Sequence, residues 1–287
     1  MIENYPKINI RYDQVDDVVF IKNKPFILAV EWKGVLFEFL IRLKEDSSNV
    51  IIFGSGAGAK QEHPLGPPYF QRHSWMNEFE DSVIYYNDPT LYLGSLSLGW
   101  GQGTKERFYL KDISSLLAKL LHCINVAPEK VLFYGSSGGG FMSLFLAGYL
   151  KGATALVNNP QTCLTKWLKT PVRNVFALSY PGLSEEEVLK TFPERINILR
   201  FFHHLHYVPP IYYLQNAACE FDITNHLIPF IEGLKNMNDD CVVNEVKVFL
   251  NYNKSQGHGA LGKHETIAYI NQAPVNKPFN KKITVKK

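Results

Sequence analysis

Cysteine is scarce. Cys123, Cys163, Cys219 and Cys241 are the only four in 287 residues, and no two form a C-x-x-C pair. Such spacing excludes the short disulfide framework of a small secreted domain, and reduced thiols are expected. An apolar leader is missing too, since Met1-Ile2-Glu3-Asn4-Tyr5-Pro6-Lys7 has an early acid and a proline. Neither a signal peptide nor a transit peptide is written there, and a cytoplasmic chain is expected. Concentrated positive charge is absent from the body of the chain. Lys277, Lys281, Lys282, Lys286 and Lys287 crowd residues 277–287, and the net charge of +3 less those five lysines leaves −2. A near-neutral body excludes a basic groove tracking a nucleic-acid backbone. The tail is expected to be a frayed terminus, with contact to an anionic membrane surface as the alternative. Residues 131–150 contain no charge and have about the length that spans a bilayer, but five of those twenty are glycine. A strand, a tight turn and a buried helix fit that stretch better.

What is present is enough apolar sequence for one large core, at 46% hydrophobic and 20% charged. Short β-rich runs at 26–30 and 35–39 predict an antiparallel meander within residues 1–49. From Val50 onward, apolar strands at 50–53, 82–86, 131–134, 154–157, 211–214 and 245–250 alternate with helical periodicity at 111–122, 140–150 and 226–237. A last helix is expected from near His264. That alternation predicts a single α/β domain over 1–287 with a mostly parallel central sheet. Residues 159–208 break the rhythm with helical, proline-containing sequence and are expected to form a helical lid insertion. Within them, Ser184-Glu185-Glu186-Glu187 has the form of a capping box. The aromatic residues Trp167, Phe176, Tyr180, Phe201, Phe202 and Tyr207 would give the lid a surface for a sugar.

Gly135-Ser136-Ser137-Gly138-Gly139 follows an apolar strand and precedes an apolar helix, the setting in which G-x-S-x-G is a nucleophile elbow. Ser137 is the predicted nucleophile, because it has glycine two residues before and two after, whereas Ser136 has Tyr134 before it. A serine hydroxyl needs a base and a group to orient that base. Asp222 and His258 follow in the expected chain order, the histidine between Gly257 and Gly259; Glu220 and His264 are the alternative acid and base. An oxyanion needs two N–H donors. Gly138, directly after the nucleophile, supplies one; Ser55 or Gly56, in the glycine-rich run Gly54-Ser55-Gly56-Ala57-Gly58 after a strand, supplies the other. Trp100, on a glycine-rich loop, is either a sugar-stacking residue or a core plug. His203, His204 and His206 lack the partners that would complete a tetrahedral metal site, so no metal is expected.

With elbow, acid and base placed, residues 50–272 resemble the α/β-hydrolase superfamily. Within it, Gly135-Ser136-Ser137-Gly138-Gly139-Gly140 followed by Val157-Asn158-Asn159-Pro160-Gln161 is similar to bacterial capsule-polysaccharide O-acetyltransferases, and the accessory secretion proteins of glycosylated adhesins also look similar. The resemblance implies that a Ser137, Asp222, His258 triad moves an acetyl group from acetyl-CoA to a sugar hydroxyl; Gln161 and Trp100 are the candidate substrate-binding residues. A carboxylesterase acting on an acylated carbohydrate and a hydrolase-fold scaffold without catalysis are the rival readings.

Overall fold

The structure, a computed structural model, describes residues 2–58 and 66–273. The basic tail at 277–287 lies outside the described residues. Strands β1 (Lys7–Arg11), β2 (Phe26–Trp32), β3 (Val35–Arg42), β4 (Val50–Gly54), β5 (Ser82–Tyr86), β6 (Val131–Ser136), β7 (Thr154–Asn158), β8 (Tyr207–Val208), β9 (Ile211–Asn216), β10 (Val242–Val243) and β11 (Val246–Asn251) follow along the chain. Nine of these build one sheet in the order β1-β2-β3-β5-β4-β6-β7-β9-β11, and β8 pairs with β10 apart from it. From β5 through β11 every pairing in that sheet is parallel. The reason is legible in β4 and β6, whose residues are all buried and read as nearly continuous apolar runs, as strands covered on both faces do.

The N-terminal part differs in one respect from a simple meander. β2 pairs antiparallel with β3, and β3 antiparallel with β5, but β1 runs parallel to β2 at the sheet edge. β1 alternates Ile8 and Ile10 with exposed Lys7, Asn9 and Arg11, so its apolar face is only two residues long. The short 3-10 helix at Tyr12–Asp17 carries the chain between β1 and β2 and makes the parallel pairing possible.

Helices α1 (Tyr109–Cys123) and α2 (Gly138–Tyr149) pack together on one face of the sheet. Every residue of α2 from Gly138 to Gly148 is buried, so it is apolar all round and must be covered on its outer side as well. The segment 159–208 forms α3 (Lys169–Ser179), α4 (Glu185–Thr191), α5 (Pro193–Ile196) and α6 (Ile198–Leu205), and α6 supplies part of that cover by packing on α2. The expected capping box is present, with reciprocal bonds between Ser184 and Glu187. Phe201 stacks on Phe145 of α2 at 4.2 Å, and Gly148 leaves room for it, because a Cβ there would lie 2.7 Å from the Phe201 ring. Phe176, Tyr180, Phe201, Phe202 and Tyr207 are all buried, each worth roughly 1.5–3 kcal/mol as core, and present no surface to a sugar. This corrects the expectation for the lid aromatics, of which Trp167 alone is partly exposed.

The one-turn helix α7 (Glu220–Asp222), a π-helical turn at Ile223–Leu227 and α8 (Ile228–Lys235) form one helical stretch, so Asp222 lies inside its first turn, ahead of the helical periodicity read over 226–237. Helix α9 (Lys263–Gln272) covers the other sheet face, where Ile270 packs with Leu132, Tyr134 and Leu156. Among the described residues, no helix is long and apolar enough to cross a membrane. The carboxyl ends of β4, β6, β7, β9 and β11 open on the same edge of the sheet, the edge where loops of α/β folds gather chemistry.

Candidate active site

Ser137 stands between β6 and α2 at φ 54°, ψ −123°, a conformation that a non-glycine residue adopts only under constraint. Glycines make the turn possible. A Cβ on Gly135 would lie 2.2 Å from the Gly139 carbonyl oxygen, and one on Gly139 would lie 2.5 Å from that of Gly54. This close approach of backbone to backbone puts the Ser137 hydroxyl at the sheet edge and the Gly138 amide at the start of α2. First-turn amides of a helix have no intrahelical acceptor and carry partial positive charge.

The loop after β11 brings His258 to the serine. Its Nε2 is 2.8 Å from Ser137 Oγ, and its Nδ1 is 2.7 Å and 2.9 Å from the two carboxylate oxygens of Asp222. Asp222 is fully buried, whereas Glu220 is exposed; His264 is exposed on α9. The carboxylate within bonding distance of His258 is therefore Asp222, and the imidazole on the serine is His258.

Asn158 at the end of β7 and the run that follows it hold this arrangement together, which the sequence alone did not disclose. Asn158 Oδ1 accepts the Leu261 amide at 2.7 Å. Asn159 Nδ2 donates to the carbonyls of His258 and Gly259, and its Oδ1 accepts the Asn216 amide. Gln161 is fully buried; its Nε2 donates to Ser137 Oγ at 2.9 Å and its Oε1 accepts the Trp100 indole N–H at 2.6 Å. Trp100 has no exposed surface, so it does not stack on a sugar, and the expected substrate contact is corrected. Instead the indole fixes which end of the Gln161 carboxamide faces the serine. Asp88, buried, accepts the Gly101 amide at 2.8 Å and so steadies the loop that carries Trp100.

Of the two residues expected to supply the second oxyanion donor, Gly56 has its amide already engaged. Gly56 lies against the elbow, where a Cβ would be 3.9 Å from Ser137 Cβ, but its amide donates to Gln71 Oε1 at 2.8 Å. The same side chain returns Nε2 to the Ala57 carbonyl, and Ser55 Oγ donates to the Tyr69 carbonyl, away from the serine. Gln71, far from any motif, gave no sequence signal.

Trp167 lies 4.5 Å from the His258 ring and 5.5 Å edge-on from Phe221. Behind it His226, fully buried, accepts the Thr162 amide at Nδ1, and its Nε2 has no partner among the described residues. Burial holds its pKa down at about 4, so the ring is neutral. Among the described residues no group of metal-ligating side chains gathers, and His206 pairs with Asp240.

A mostly parallel sheet with antiparallel N-terminal strands, helices on both faces and a serine on a strained strand-to-helix turn define the α/β-hydrolase fold. Solved structures agree on the fold. The capsule O-acetyltransferase of Neisseria meningitidis serogroup A is similar at TM-score 0.64 and 16% identity, covering 86% of this chain and 96% of that one. A second structure of that protein, a mutant in complex with CoA, gives TM-score 0.60 and 17% identity over 86% and 94%. The Gap123 glycosylation-associated complex of Streptococcus agalactiae gives 0.58 and 13% over 88% and 47%, and a bacterial esterase of the hormone-sensitive lipase family gives 0.50 and 14% over 91% and 86%. No protein-family model matches the chain, and no curated protein matches it either.

Proposed function

We propose that the chain is a serine acyltransferase that carries an acetyl group from acetyl-CoA to a carbohydrate hydroxyl through an ester on Ser137. The observation that carries the reading is the unbroken hydrogen-bond line from Asp222 through His258 to Ser137, with Gln161 on the far side of the hydroxyl. A serine oxygen has one proton and two lone pairs. With Gln161 donating to one lone pair, the proton is directed to His258 Nε2. Attack of Oγ on the thioester carbonyl moves that proton to Nε2, and the leaving sulfur takes it to give free CoA. Asp222 accepts from Nδ1 and stabilises the imidazolium in the correct tautomer. The Gln161 N–H also meets the negative charge that develops on Oγ. An acceptor hydroxyl then attacks the acyl carbon, gives its proton to Nε2, and Ser137 is released as the hydroxyl. Gly138 supplies one oxyanion donor; Gly56 supplies the second once the Gln71 oxygen gives way to the substrate oxygen. Acetyl-CoA as donor implies action in the cytoplasm.

The similarity to a capsule O-acetyltransferase supports transfer to a polysaccharide, and an intact triad argues against a silent scaffold. The test is the release of free CoA from acetyl-CoA with and without bacterial oligosaccharides, followed by mass analysis of the sugars. Acceptor-stimulated release with acetylated sugar is expected. Fast release that no glycan accelerates would make the chain an esterase.

A further inference from the structure

Arg72 heads the 3-10 turn His73–Glu78 with φ 67°, in the left-handed region that a non-glycine residue enters only when its surroundings hold it there. Its guanidinium donates through Nη2 to Ser136 Oγ at 2.8 Å, on the residue next to the proposed nucleophile. It also lies 5.5 Å and 5.4 Å from the ring centroids of Trp75 and Tyr134. Position and plane are thus fixed. Yet no carboxylate of the described residues pairs with it, while Arg11 and Arg107 each have an aspartate. A half-buried guanidinium without a counter-ion keeps a charge that a ligand can neutralise, and its fork suits carboxylate and phosphate oxygens. One oxygen already rests at this spot, since Gln71 Oε1 lies 3.5 Å from Arg72 Nη1 while it accepts the Gly56 amide.

The rim repeats the sign. Lys166 and Lys169 flank Trp167, and Lys254 lies in the loop leading to His258; all three are exposed and none is in an ion pair of the described residues, while the exposed acid Glu220 adjoins Phe221, which packs on Trp167. Between the charges stand apolar surfaces suited to a ring, with Leu168 53% and Phe221 39% exposed beside Trp167.

We propose that the acceptor is an acidic sugar, its carboxylate or phosphate held by Arg72 and its ring laid against Trp167; the inference rests on the acyl-transfer reading above. The anion belongs to the acceptor and not to the donor. The diphosphate of CoA is a whole pantetheine arm from the thioester carbon, whereas Arg72 touches the residue beside Ser137. Only an anion a few atoms from the reacting hydroxyl reaches both.

The test uses the full chain with trigalacturonate as the carboxylate probe, mannose 6-phosphate as the phosphate probe and maltotriose as the neutral one. Binding is read by calorimetry, and occupancy of the site by protection of Ser137 from a fluorophosphonate. One anionic probe is expected to bind at least tenfold more tightly than maltotriose and to slow labelling, and which of them does so identifies the group. Arg72→Gln is expected to bring that ratio to within about twofold of one, and Arg72→Lys to restore part of it. Equal binding of neutral and anionic probes, or a ratio unchanged in Arg72→Gln, overturns the proposal. Failure of Ser137 to label in folded wild-type protein overturns the acyl-transfer reading instead, and calorimetry still decides the anion site.

Discussion

Replacing Trp100 by phenylalanine removes one N–H from a fully buried position and should be felt at a serine that the indole does not touch. In the wild type the indole donates to Gln161 Oε1 at 2.6 Å, and this bond decides that the opposite end of the carboxamide, the NH2, faces Ser137 Oγ. Without it, Oε1 is a buried acceptor with no donor, which costs about 1–3 kcal/mol. The carboxamide can relieve that cost by turning over, but an oxygen facing Ser137 would draw the hydroxyl proton away from His258. Acylation should therefore slow by about 10–100-fold, the kinetic equivalent of the same energy. Stopped-flow measurement of the p-nitrophenyl acetate burst gives the acylation rate. Urea unfolding of Trp100→Phe, Gln161→Leu and the double variant separates coupling from the packing lost with the indole. The reasoning is refuted if Trp100→Phe acylates at the wild-type rate while Gln161→Leu is slow, or if the cycle shows no coupling between the two.

Asp222→Asn should lower turnover by about 10⁴ through the wrong imidazole tautomer, whereas Glu220→Gln should stay near wild type; steady-state ester hydrolysis checks both, and the reverse pattern would assign the acid to Glu220. Gly135→Ala should cost the elbow outright, since its Cβ would lie 2.2 Å from the Gly139 carbonyl oxygen, and thermal melting by circular dichroism should fall well below wild type. His226 makes stability depend on pH. Its folded pKa of about 4 lies below the ordinary 6.5, so the unfolded chain binds the proton more readily, and stability is full above pH 6.5 and declines as pH falls toward 4. The whole step is about 3 kcal/mol. Urea unfolding at pH 7.5 and 5 should show the loss, and His226→Phe should flatten it; an equal pH slope in both proteins would contradict the neutral buried imidazole.

Strands β4, β5, β6, β7 and β9 were legible because each carries an apolar run between turn signals, the pattern that burial on both faces demands, and β11, only partly buried, shows Val246, Val248, Phe249 and Leu250; the two-residue strands β8 and β10 are too short to leave a pattern. β1 was not, because a charged, five-residue edge strand has an apolar face of only Ile8 and Ile10. The elbow could be read from spacing alone, since only glycine fits at positions 135 and 139. The acid was less legible. Glu220 and Asp222 are two apart, and their separation into exposed and buried depends on the helical turn that begins at 220, not on composition. Side chains that act across the fold left no local trace. Trp100 and Gln161 are 61 residues apart, and their pairing needs the loops after β5 and β7 to meet over α2. The lid aromatics misled for a related reason. Helix α2 is apolar on every side and Phe201 covers it, while Phe176 packs on Tyr180 inside the lid itself, and a sequence shows aromatic content without showing which surface consumes it.

The central claim is that Ser137 accepts an acetyl group from acetyl-CoA. Intact-mass measurement of the protein over time with acetyl-CoA, followed by peptide mapping, tests it most directly. The account requires one acetyl group per chain, carried on Ser137, absent in Ser137→Ala and discharged faster when an acceptor sugar is added. An unmodified chain, or acetyl found on Ser136 or on lysines equally in Ser137→Ala, would contradict it.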